Sequence, residues 1–288
     1  MGRGPSVVTA AALPTRARPE RDDRVLRPTR VLAWGITPFL AAGVVLLYGF
    51  PADTGRLFAW PVSPPITAMV LASAYLGGIW FFVRTARVPR WALVSAGLPA
   101  VTVFAALLGV ATVVHWDRFT HAHPAFWVWA GLYFLAPPLV ALVWVVNARV
   151  AAPARDDERR VEPMTRGVIG YGGAASVLLG VLLWSLPQTM SRIWPWSLTP
   201  LTARVIGAVF CLGCAGLVAF TDARWIRVRV LVEAETVMVA AMLLALLRGR
   251  AELHPERPLT WVLLTGMLAA LAGSARLLYA MSRRDPPR

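Results

Sequence analysis

Eight long apolar runs dominate the chain, at 31–50, 65–83, 92–114, 126–146, 167–186, 200–221, 229–247 and 259–280. Runs of roughly 18 or more apolar residues are long enough to cross a bilayer as a helix. The runs are apolar on every side. Membrane β-strands would instead show short segments of alternating character. The pattern therefore predicts an all-α polytopic membrane protein with eight transmembrane helices. Polar stretches divide it into an Arg-rich tail (1–30), a four-span block (31–148), a charged linker (149–166), a second four-span block (167–283) and a short tail (284–288). The first tail is expected to be disordered, because it is polar and Pro-containing.

The two blocks resemble each other. "RLFAWPVSPPITA" (56–68) returns as "RIWPWSLTPLTA" (192–203). Displacing the chain by 136 residues, with one deletion, gives ten identities over 38 positions. "RW" at 90–91 then meets "RW" at 224–225, and "HP" at 123–124 is matched with "HP" at 254–255. A fixed period of this kind marks a duplicated unit. Four spans per unit is an even number, so both units enter the membrane in the same direction. Two parallel repeats related by an axis along the membrane normal are expected.

The repeated phrase reads first as a helix start. Ser63 and Thr199 suit N-caps. Pro64 and Pro200 suit the first turn, where no amide hydrogen is needed. Trp60 and Trp196 suit the lipid–water interface. A functional reading adds Arg56 and Arg192. A helix N-terminus attracts anions, and a nearby guanidinium adds charge-assisted bonds. Together with His123 and His254, the two arginines are the candidate ligand-binding residues, for a lipid headgroup or small anion.

The net charge of +14 changes the picture once it is placed on the topology. All 29 basic residues are arginine, and 21 of them lie on one set of loops and tails, against six on the other. This is the positive-inside pattern. It predicts cytoplasmic termini in a plasma (inner) membrane, and it accounts for the charge without nucleic-acid binding. The Arg-rich tail is expected to make a weak contact with anionic lipid.

Candidate chemistry is sparse. His115, His121, His123 and His254 all fall on the opposite side, without metal-ligand spacing. Cys211 and Cys214 form a CxxC in mid-span, where small residues mark close helix packing. Pro137 and Pro138 are expected to break the fourth span. Glu235 and Arg276 fall at similar depth in spans seven and eight, and are expected to form a structural ion pair. Glu233 is placed to reach Arg229, four residues back. No nucleophile elbow, phosphate loop or paired catalytic carboxylates are present, so no catalytic residue, metal site or cofactor is assigned.

Each four-span unit, with a Pro after its first span and "LTAR…GA…G" in its second (Leu201–Gly207, Ala208, Gly216), resembles DoxX-like four-helix membrane proteins. The first unit departs from this at Met69, which stands where the second has Arg204. The chain as a whole is similar to membrane proteins of actinobacterial type. The resemblance implies two such units and transfers no activity. The expected function is non-enzymatic: binding or moving a lipid or small amphiphile between two pseudo-symmetric halves. The alternative is a structural subunit of a membrane complex or a homo-oligomer. An intramembrane redox or metal-dependent enzyme comes third.

Overall fold

The computed structural model describes residues 22–152 and 158–283. Eight of its helices are long and apolar enough to cross a membrane. They are α1 (Arg27–Gly49), α2 (Pro65–Arg87), α3 (Gly97–Val114), α4 (Pro124–Val150), α5 (Pro163–Ser185), α6 (Pro200–Thr221), α7 (Trp225–Arg248) and α8 (Pro258–Ser282). The protein is all-α, and the expected spans are present. The tail differs from expectation where it is described. Residues 27–30 already belong to α1, and Asp23 to Val25 lie against the α2–α3 loop. Residues 1–21, 153–157 and 284–288 lie outside the described residues. Span three starts late, at Gly97. The preceding turn is held back because Asp23 accepts from Trp91 N (3.0 Å) and Ala92 N (2.9 Å).

The halves interlock. The most extensive packing joins α2 to α7 across the halves, and α1 to α2, α5 to α6 and α3 to α4 within them. A further contact joins α3 to α6. Hence α2, α3, α6 and α7 form the centre. The central window of α2 is 72% buried, against 11% for α8.

Matching backbone bonds recur in the two halves. Val25 N bonds Pro89 O, and Val161 N bonds Ala223 O; Trp91 N bonds Asp23 O, and Trp225 N bonds Arg159 O. At the other end Thr120 N bonds Ala59 O, and His254 N bonds Pro195 O. The offset is 136 residues before α2 and 134 after it, as these pairs and the isolated bridges Arg24–Arg90 and Arg160–Arg224 show. This register corrects one match. His254 stands opposite Thr120, and His123 opposite Arg257, so the shared "HP" is a coincidence of composition.

The repeated phrase behaves as a helix start, with corrections. Thr199 accepts from Thr202 N at 3.2 Å in a reciprocal capping box, as expected. In the first half Pro64 is the N-cap, Pro65 begins α2, and Ser63 makes no cap bond. The free amide of Ile66 is bonded instead by Glu252 of the α7–α8 loop, at 2.9 Å. Trp60 and Trp196 do not lie at an interface. They are 2% and 1% exposed. Trp196 Nε1 donates to Thr67 in the other half at 2.9 Å, and Trp60 packs edge-on against Trp129, with ring centres 4.7 Å apart.

The fourth span is not broken: α4 runs through Pro137 and Pro138 without interruption. Pro137 has no N–H for the carbonyl of Tyr133, four residues back. That carbonyl lies against Gly109 of α3, where a Cβ would approach to 2.8 Å. The irregular turns fall elsewhere, as a π-helical end to α1 (Val45–Gly49) and a 3₁₀ stretch in α6 (Leu212–Leu217). The CxxC sits at that stretch with both thiols free. There α5 and α6 approach backbone to backbone: a Cβ on Gly173 would meet Gly213 O at 2.5 Å, and one on Gly213 would meet Gly173 O at 2.9 Å. Close packing through small residues accounts for the sequence here.

Candidate functional site

The residues expected to bind a ligand at the histidine end are not brought into one site. Arg56 is exposed and, among the described residues, pairs only with Asp53, at 3.9 Å. Arg192 is exposed on the short helix Pro187–Ile193 and makes no described polar contact. His123 is the N-cap of α4, its Nδ1 accepting from Ala125 N at 3.2 Å. His254 pairs with Glu256 at 3.1 Å. Each histidine serves its own helix start. No group of three His, Cys, Asp or Glu among the described residues is placed to hold a metal.

A polar contact the sequence did not suggest joins α3 to α6 at this end. Arg204 Nη1 donates to His115 Nε2 at 2.6 Å, and its guanidinium stacks over Trp184, 5.7 Å from the ring centre. The accepting nitrogen requires neutral imidazole. Burial first, and Arg204 second, push His115 below its ordinary value of 6.5. The unfolded chain therefore takes up this proton at higher pH than the folded one, so stability falls as pH drops below 6.5. Thermal unfolding against pH is expected to show that slope, and His115→Gln to flatten it.

The expected Glu235–Arg276 ion pair does not close. Both side chains are exposed, on neighbouring helices, and neither has an ion-pair partner among the described residues. Glu233 is the carboxylate that organises charge, as the four-residue spacing to Arg229 suggests. Its side chain is 11% exposed, and it lies 3.0 Å from Arg229 Nε and 2.9 Å from Arg84 Nε of α2. Trp80 Nε1 donates to its second oxygen at 3.1 Å. The cluster crosses between halves.

These arginines line a cleft. At the arginine-rich end, the end of α2, the loop after it, residues 158–159 and the start of α7 enclose a cavity of about 550 Å³. Arg84, Arg87, Arg90, Arg159 and Arg229 line it, with Trp225 and Ile226 among its apolar walls. Glu158 is the one carboxylate among the lining residues. Arg90 is fixed from two sides, by Asp23 at 2.9 Å and Glu158 at 2.6 Å. Arg84 is fixed by Glu233. Guanidinium groups held in this way lose little freedom when they bind, and their fork geometry matches phosphate or carboxylate.

The second half supplies an internal control. The offsets place Val218 opposite Arg84, Thr221 opposite Arg87, Ser95 opposite Arg229 and Asp23 opposite Arg159. Arg90 is kept, as Arg224, and is tied to Asp222 at 3.1 Å. The matched place is thus built without four of the five arginines, although Arg227, opposite Leu93, stands there and donates to Ser95. Folding does not require them there. Apart from Arg229, expected as the partner of Glu233, these residues read in the sequence as topology signals alone, because the cleft exists only once α2 and α7 meet. Comparison with known proteins finds no match among family models, curated proteins or solved structures.

Proposed function

We propose that the protein is a non-enzymatic plasma-membrane protein that binds an anionic amphiphile in the arginine-lined cleft between α2 of one half and α7 of the other. The arginine-rich end then faces the cytoplasm by the positive-inside rule, and the halves are related by a pseudo-twofold axis along the membrane normal. The observation that carries this reading is the concentration of five arginines on one cavity, while the matched place in the other half has exchanged four of them. Basic pockets between membrane helices at this level hold anionic headgroups. Arg56, Arg192, His123 and His254 have no part in the binding.

A second reading, a subunit of a larger membrane complex or a homo-oligomer, is favoured by α5 and α8. Their central windows are only 17% and 11% buried. Native mass spectrometry of the detergent-purified protein with phosphatidylglycerol and phosphatidylcholine separates the two. Retention of one phosphatidylglycerol per chain, with phosphatidylcholine lost, is the expected result. Equal retention of both lipids refutes the cleft as the determinant. Recovery of an oligomer or a stable protein partner without bound lipid supports the second reading.

A further inference from the structure

Arg87 differs from the other arginines of the cleft. It lines the cavity, yet no carboxylate among the described residues pairs with it. Its guanidinium carbon instead lies 5.5 Å from the ring centre of Trp34 on α1. Trp34 is 46% exposed on the flank of the bundle. One side chain therefore bridges the cavity and the apolar outer surface, through the seam between α1 and α2. A cation resting on an exposed ring is held less firmly than one bonded to phosphate. Arg87 can turn to an arriving phosphate at little cost.

The matching seam of the second half is closed. Gly170 stands opposite Trp34, Thr221 opposite Arg87, and Phe220 opposite Ala86. The ring of Phe220 fills the place: a Cβ on Gly170 would come within 2.4 Å of it. Tyr171 packs edge-on against the same ring, with centres 5.2 Å apart. The tryptophan and the arginine are exchanged together, and an aromatic plug replaces them.

We infer that the Arg87–Trp34 seam is the lateral portal of the cleft. The ligand is then a membrane lipid with a phosphate-bearing anionic headgroup. Arg84 and Arg87 hold the phosphate inside, and the acyl chains leave between α1 and α2 along Trp34. This rests on the cleft being the binding site. A soluble phosphomonoester shares the headgroup chemistry but needs no lateral opening.

The test uses the full chain in phosphatidylcholine nanodiscs. The probe is phosphatidic acid carrying a diazirine in its acyl chain, and glycerol 3-phosphate is the soluble comparison. Photoadducts are expected on α1 around Trp34, and this measurement needs no altered protein. The double variant Trp34→Gly, Ala86→Phe copies the closed seam. It is expected to lower phosphatidic acid affinity by about tenfold or more and to leave glycerol 3-phosphate binding unchanged. Adducts confined to other helices overturn the portal. So does unchanged lipid affinity in a folded double variant, or glycerol 3-phosphate binding the wild type as tightly as the lipid does. If neither compound binds the wild type, the cleft itself is not the site.

Discussion

Replacing Asn147 by leucine is expected to lower the stability of the purified protein by about 2–4 kcal/mol, since one buried hydroxyl and two part-buried backbone groups lose partners and a buried unsatisfied group costs about 1–3 kcal/mol. Asn147 is the chain's single asparagine and is fully buried near the end of α4. Its Oδ1 accepts from Leu26 N at 2.9 Å and from Thr29 Oγ1 at 3.1 Å, and its Nδ2 donates to Arg24 O at 3.0 Å. One amide thus ties the end of α4 to the start of α1 and satisfies an amide at that helix start. Leucine branches at the same atom and removes every polar contact, while its bulkier methyl groups add some overpacking at a fully buried site. The second half does the same job differently. Met281 stands at the matched place and packs with Val161, Trp225 and Val228. For a domain of this size the loss corresponds to a drop of roughly 10 °C in Tm. Thr29→Val should show a smaller part of the effect, because the amide keeps its other two bonds. An Asn147→Leu protein that melts with the wild type would show that these bonds contribute nothing net.

What could be read from the chain was local or periodic. The spans follow from run length. Their ends move by a few residues where Asp23 or Thr199 bonds the backbone, as at Trp91 and Thr202. The Glu233–Arg229 contact follows from helical spacing. The repeat of the phrase at 56–68 is visible because Trp60 and Trp196 each serve a similar local turn. Their burial was not legible, because Thr67 reaches Trp196 only when the halves interlock. The expected pair of Glu235 with Arg276 rested on equal depth and on both charges being absent from the first half. Depth leaves the direction around each helix open, and α7 turns Glu233, not Glu235, toward Arg84. The cleft was hidden for the same reason: Arg84 and Arg229 lie 145 residues apart in sequence, and only Glu233 between them marks their meeting.

The cleft itself yields the other large expected effect. Arg84→Val, Arg87→Thr and Arg229→Ser copy into the first cleft what the matched place already carries. Glu233 must change with them. It is 11% exposed, and a buried carboxylate stripped of its partners costs about 3–5 kcal/mol. Glu233→Gln removes the charge and keeps an oxygen for Trp80 Nε1. The fourfold variant loses three guanidinium groups and one carboxylate, and keeps Arg90 with its Asp23 and Glu158 partners. Because the second half folds around these same residue types, Tm is expected to stay close to the wild type. Charge-assisted bonds contribute about 1.5–3 kcal/mol each, so losing three guanidinium groups should weaken anionic-lipid binding by about 100-fold or more. Titration of phosphatidylglycerol into both proteins, with phosphatidylcholine as the blank, measures this directly. A variant that folds and binds as the wild type does would reduce the arginines to topology markers. One that fails to fold would show that the two halves are not interchangeable at this place. The sharp outcome is intact folding with binding lost, which would assign headgroup recognition to these three arginines and not to the fold around them.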